Sequence, residues 1–211
     1  MSLLSIAIWM PIAFGLLLLA FGKDCHAKMV RWVALLGSVV SCLVTIPLIT
    51  QFQLGTAAMQ FVEKTPWIER FNVNYHLGVD GISVWFVLLT AFINLVVVVA
   101  SWEAITTRVN QYMGAFLILS GLMIGVFCAL DGLLFYVFFE ATLIPMYLII
   151  GIWGGPNRSY ASIKFFLYTF FGSALMLAGL IYLGLHAHSF MISDYYSLPL
   201  SLSAQIWLFI G

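Results

Sequence analysis

The sequence predicts an all-α integral membrane protein: a polytopic helical bundle with six complete transmembrane helices, the start of a seventh, and one short extracytoplasmic strand. Three observations predict it. Hydrophobic residues make up 64% of the 211 positions and charged residues only 8%, against about 45–50% and about 25% in soluble domains. The apolar residues run on in blocks of about 20 instead of alternating, which is how helices rather than barrels cross a bilayer. The basic residues gather in alternate connections, as the positive-inside rule requires.

The same composition narrows the function. Net charge is zero, and no basic run suits nucleic acid. Cys25, Cys42 and Cys128 lie far apart without ligand spacing; Cys42 and Cys128 fall in apolar runs and read as small core residues. There is no Gly-rich phosphate loop, no cysteine cluster for iron–sulfur and no nucleophile–base signature. The expected surroundings are the lipid bilayer and other membrane proteins, with no cofactor-binding or metal residues in this chain.

A single membrane domain is expected over 1–211. The first span covers 3–21. It is no signal peptide, because its basic residues Lys23, Lys28 and Arg31 follow the apolar run instead of preceding it. They place the N-terminus outside and the first connection in the cytoplasm. The second span, 30–50, leads to an outer connection at 51–80. There the charges of Glu63, Lys64, Glu69 and Arg70 read as a solvated face. Phe71, Val73, Tyr75, Leu77 and Val79 alternate with polar or small residues, giving a strand at 71–78. His76 reads as a polar strand residue.

Asp80 caps the third span, 82–100, in which Asn94 is expected to bond across helices. The fourth span, 111–130, carries a small-xxx-small pair, Gly121 and Gly125, suited to close packing. Asp131-Gly132 is a tight turn, so the fourth and fifth spans are antiparallel neighbours. Asp131 reads as a turn residue at the water interface. The fifth span, 132–153, ends at Gly-Gly-Pro156. The sixth covers 162–185, and the run at 206–211 is the truncated start of a seventh. His186 and His188 lack a third metal ligand. Of eight basic residues, six fall in the proposed cytoplasmic segments: Lys23, Lys28, Arg31, Arg108, Arg158 and Lys164. Trp32, Trp102 and Trp153 sit at inner helix ends, as an aromatic belt would.

The fifth span carries the chemistry. Glu140 lies about 2–3 residues, or roughly 4 Å, from its centre. A carboxylate there costs roughly 2.5–3.5 kcal/mol on insertion scales. Pro145 removes the amide that would bond the Ala141 carbonyl, giving a kink and a free acceptor one turn away. Tyr136 and Tyr147 share the face of Glu140 and make a narrow polar stripe. The functional reading is a proton site; the bland one is a neutral carboxyl bonded to a neighbouring helix. Lys164, near the inner end of the sixth span, reads either as a lysine snorkelling to headgroups or as part of the same path. Depth places it about 11–14 Å from Glu140 along the membrane normal. That excludes a direct ion pair and leaves a water-linked relay.

Phe-Phe-Glu-Ala-Thr-Leu-Ile-Pro-Met-Tyr at 138–147 resembles the fifth helix of the chain M, or subunit 4, family of proton-pumping NADH:quinone oxidoreductase, respiratory complex I. Pro66-Trp67-Ile68, His76 to Ser83 and Lys164 to Thr169 resemble it in the same order. The resemblance implies an antiporter-like subunit of about fourteen helices with inverted repeats, in a bacterial inner membrane, with a mitochondrial one as second choice. It implies that Glu140 matches the glutamate needed for proton translocation, and Lys164 a charged residue of the same half-channel. In the family, a lysine on a broken seventh helix pairs with that glutamate; no such position precedes Gly211.

NAD, FMN, iron–sulfur clusters and quinone would then belong to partner subunits. This chain would serve the enzyme by translocating protons, with other membrane-arm subunits as its partners. A multi-subunit Na+/H+ antiporter subunit and an inert scaffold remain the alternatives.

Overall fold

The computed structural model describes residues 3–22 and 26–210. Lys23 and Cys25, used above, lie outside the described residues, as does Gly211. Among the described residues, six helices are long and apolar enough to cross a membrane. They are α1 (Leu3–Phe21), α2 (Ala27–Thr50), α3 (Ser83–Ala104), α4 (Val109–Cys128), α5 (Gly132–Trp153) and α6 (Arg158–Ala187). The expected spans are all present. Helices α2, α3 and α6 run a turn or so beyond their apolar runs at the far end, into the basic and tryptophan residues there. At that end Trp32 meets Trp102 edge to face at 5.4 Å, and the Trp153 indole donates to the Thr107 carbonyl at 3.0 Å. Two short helices follow, α7 (Ile192–Tyr195) and α8 (Leu202–Ile210). The expected seventh apolar run is thus helical, from Leu202.

Helix α4 is the hub, touching α1, α2, α3 and α5. Its glycines explain why. A Cβ on Gly121 would stand 2.5 Å from the Ile8 carbonyl, and one on Gly114 would stand 3.0 Å from the Gly15 carbonyl. Both openings admit the α1 backbone. A Cβ on Gly125 would meet the Phe138 ring at 2.7 Å, so that glycine serves α5. The expected 121–125 pair therefore divides between two neighbours, and the seam to α1 has a spacing of two turns.

The connection between α2 and α3 is a hairpin, where the sequence suggested one strand. β2 (Val73–Val79) pairs antiparallel with β1 (Gln60–Ile68). Pro66 and the mixed charges hid β1, since proline removes a ladder donor and is confined to edges. Here it causes no loss: the Asn74 amide opposite Pro66 points away from β1, to the Asp131 carboxylate at 3.1 Å. A 3-10 turn at Glu69–Phe71 closes the hairpin, with Asn72 left-handed at φ 53. Nor is Glu63 simply solvated. It accepts the amides of Leu4 at 2.8 Å and Ser5 at 3.2 Å, and the Ser5 hydroxyl. It thereby satisfies open donors at the start of α1.

Two other expectations change. Asp131 is fully buried, not at a water interface. Residues 129–131 are extended, bridged to β2 on one side and to Met191 on the other. Asn94 is buried in α3, but its amide has no partner among the described residues. The expected cross-helix bond is not formed. Asp80 does cap α3: its Oδ1 accepts the amides of Ile82 at 3.1 Å and Ser83 at 2.6 Å. Helix α5 continues without interruption through Pro145.

Candidate functional site: a carboxyl in the seam between α5 and α6

Helix α5 buries Leu134, Phe138, Thr142 and Pro145 on one face, which packs onto α4. At 100° per residue, Glu140 falls on the opposite side. Tyr136, Tyr147 and Gly151 share its stripe, and the contacts of that stripe are with α6. Gly151 leaves room for Ser162, whose Oγ would be 3.3 Å from an added Cβ. The Tyr147 and Phe166 rings meet edge to face at 5.7 Å. Tyr136 interacts with both Ser173 and the Glu140 carboxyl. An added Cβ on Gly132 would meet Leu180 at 3.1 Å.

These contacts set an antiparallel register. They place Glu140 level with the stretch of α6 between Thr169 and Ser173. Both hydroxyls donate to backbone carbonyls of their own helix, Thr169 to Phe165 at 2.8 Å and Ser173 to Phe170 at 3.0 Å. Their lone pairs remain for a proton donor. Ser173 is buried at 4% exposure. Glu140 itself is half-buried, and its Oε2 is buried without a hydrogen-bond partner among the described residues. On its other flank Val137 and Ile144 stand exposed. The carboxyl thus sits at mid-depth between a covered hydroxyl seam and an open apolar face.

Of the five residues singled out from sequence, four lie on α5: Tyr136, Glu140 and Tyr147 on the seam, and Pro145 buried toward α4. Lys164 does not join them. It lies two residues beyond Ser162, about 200° around the helix, and so faces away from α5. The residue is exposed, and its Nζ stands 5.6 Å from the centre of the Tyr160 ring. From the level of Glu140 it is about eight residues, or about 12 Å, along α6. Sequence reasoning missed Thr169 and Ser173. Their signal was the spacing of Ser162, Thr169 and Ser173, which puts three hydroxyls on one helical face. No group of three or more His, Cys, Asp or Glu able to hold a metal ion occurs among the described residues.

A carboxyl so placed can take up and give up a proton. A positive charge brought near a carboxyl favours the charged form, and loss of water favours the neutral one. Neighbouring hydroxyls can accept a hydrogen bond from the protonated form or donate one to the ionised form.

Comparisons with known proteins agree along the chain. Residues 28–129 match the family described as NADH-ubiquinone oxidoreductase chain 4, amino terminus. Residues 129–209 match NADH:quinone oxidoreductase/Mrp antiporter, TM. The chain is 41% identical over 213 residues to NADH-quinone oxidoreductase subunit M of Rickettsia prowazekii, covering 98% of this chain and 43% of that one. Among solved structures it is similar to a chain of respiratory complex I from Thermus thermophilus with bound NADH. The TM-score there is 0.84 and identity 31%, over 99% of this chain and 42% of that one. It also shares its fold with a chain of the Mrp complex from Dietzia sp., at TM-score 0.82 and 16% identity, over 98% of this chain and 22% of that one. The chain therefore spans less than half the length of the relatives it matches.

Proposed function

The chain belongs to the subunit M, or chain 4, family of NADH:quinone oxidoreductase, matching its N-terminal part, and from that premise we propose that it forms the first half-channel of a proton-translocating membrane-arm subunit. It is a multi-pass membrane protein. In this reading the membrane is the bacterial inner membrane, the N-terminus faces outward, and the hairpin lies on the outer side. The placement of Lys28, Arg31, Arg108, Arg158 and Lys164 at the far end supports that orientation. In the same reading, redox groups, with NADH and quinone, belong to partner subunits.

The observation that carries the reading is Glu140: a carboxyl at mid-membrane depth, with one oxygen buried and unpartnered, facing hydroxyls of α6. A charge this costly in oil has a use for its proton. Glu140 binds the proton. Tyr136, with Ser173 behind it, offers a polar contact that adapts to either state of the carboxyl. Tyr147 packs the seam toward the inner end, and Pro145 leaves the Ala141 carbonyl without its helical donor. Lys164 supplies a positive charge at the inner mouth of the same path, acting through water rather than by contact. The test is to measure pumping by assembled complex carrying Glu140→Gln or Glu140→Ala. Both are expected to abolish it while leaving assembly largely intact; normal pumping sinks the reading.

A second reading rests on the match at 129–209, whose description names both NADH:quinone oxidoreductase and the Mrp antiporter. The same carboxyl would serve a multi-subunit Na+/H+ antiporter. Co-purification separates the two. Flavin and iron–sulfur partners mean complex I, and a small all-membrane assembly means the antiporter.

A further inference from the structure

The hairpin is joined to the α4–α5 turn by a short run of hydrogen bonds. Leu130 N donates to His76 O at 2.9 Å, and Asn74 N to Asp131 Oδ2 at 3.1 Å. The other Asp131 oxygen takes the amides of Leu133 and Leu134, at 3.0 and 3.2 Å. On the far side of the turn, Gly132 N donates to Phe190 O at 2.8 Å and Ile192 N to Leu130 O at 3.0 Å. The outer end of α5, the helix of Glu140, is therefore held between β2 and the 190–192 segment.

A histidine sits in this joint beside the Asp131 carboxylate. His76 is 7% exposed, and its Nδ1 is buried with no hydrogen-bond partner among the described residues. Its ring also lines a cavity of about 390 Å³ with Asp80, Ser83, Ser193 and Tyr196. The charges that act on it come from two sides. Lys64 is its direct partner across the hairpin, and Asp131 belongs to the α4–α5 turn. The Lys64 ammonium is itself turned to the Met191 sulfur at 3.5 Å. Tyr195 of α7 faces the same carboxylate; burial and the charges of Asp131 and Asp194 push its phenol up to about 12, so it stays neutral.

We propose that His76 is a proton-binding site on the outer face, and that loading it loosens the joint anchoring α5. The acidified side of the membrane would thus weaken the mounting of the helix that delivers the protons. The outward orientation and the link to Glu140 rest on the function proposed above.

The sign follows from the surroundings. Burial first, and the Lys64 ammonium second, hold the ring below its ordinary value of 6.5, with Asp131 opposing them. The packed joint therefore binds a proton less readily than an opened one does. Its stability is fully present above 6.5 and is lost as pH falls through the lower value of the packed ring. The bonds most exposed to that loss are those from Leu130 to His76 and from Asn74 to Asp131, which flank the ring.

Amide hydrogen exchange on the complete complex in liposomes tests this, and it needs no pumping. Between about pH 7.5 and about pH 5.5, corrected for intrinsic chemistry, residues 73–79 and 130–134 are expected to lose protection several-fold. His76→Gln should stay flat over that range. Lys64→Gln, which removes the opposing ammonium and so brings the packed ring closer to its ordinary value, should shrink the loss of protection. The smaller loss in Lys64→Gln decides the matter if the His76→Gln complex fails to assemble. An unchanged profile in wild type, an equal loss in His76→Gln, or an undiminished loss in Lys64→Gln overturns the proposal. Failure of Glu140→Gln to stop pumping would strike the function instead and leave these profiles as they are.

Discussion

The fully buried Asp131 carboxylate accepts the half-buried Asn74 amide at 3.1 Å. One bond thereby ties the hairpin to the helix that bears Glu140. Removing it with Asp131→Ala strips the N-cap of α5 and orphans the Asn74 donor. The cap loss costs about 1 kcal/mol, and a buried unmet donor about 1–3 kcal/mol. Amide exchange at residues 73–75 and 133–135 is expected to rise steeply. Asp131→Asn should cost less, because asparagine still caps while its amide group turns a donor toward Asn74. Wild-type exchange in Asp131→Ala would contradict the role given to this carboxylate.

Gly121 and Gly125 are expected to respond differently to alanine. At Gly121 the new methyl meets the Ile8 carbonyl, a backbone atom of α1. At Gly125 its nearest neighbours are atoms of the Phe138 ring, which can tilt. Overpacking costs about 1–3 kcal/mol, and Gly121→Ala should lie at the upper end. Assembled complex in membranes, measured by native gel, should fall more for Gly121→Ala than for Gly125→Ala. The reverse order would mean that α1 moves more freely than this packing allows.

Lys164 faces away from the seam. Lys164→Met is therefore expected to slow pumping by several-fold at most, with Lys164→Arg near wild type. A loss as complete as that of Glu140→Gln would require Lys164 to reach the carboxyl directly, which the register of α5 and α6 forbids.

Acid should act at His76 and not at Asp80. The amides of Ser83 and Ile82, together with the Ser83 hydroxyl, hold the Asp80 carboxyl below its ordinary 3.8. Its capping contribution is present above 3.8 and lost only as pH falls through its lower, folded value. Protection at residues 82–86 should stay constant over the range where 73–79 opens. Loss in both segments together would assign the effect to general acid unfolding.

The spans were legible because helices in lipid must be long, apolar and internally bonded. The α5 stripe of Tyr136, Glu140 and Tyr147 was legible from period alone. What the sequence hid were contacts between segments far apart in the chain. Asp131 looked like any turn residue; the hairpin on one side and the 190–192 segment on the other bury it. β1 was masked by Pro66, whose missing donor matters little because Asn74 bonds elsewhere. Glu63 looked solvated until α1 brought its open amides beneath it. The face of Lys164, by contrast, could have been read. Ser162, Thr169 and Ser173 mark the side of α6 turned to α5, and Lys164 is on the other.

Proton translocation by membranes carrying Glu140→Gln, at wild-type levels of assembled complex, tests the central claim most directly. The account expects no proton gradient on NADH oxidation from such membranes. A gradient equal to wild type would contradict it, and would leave the carboxyl as a polar residue tolerated in the seam without a role.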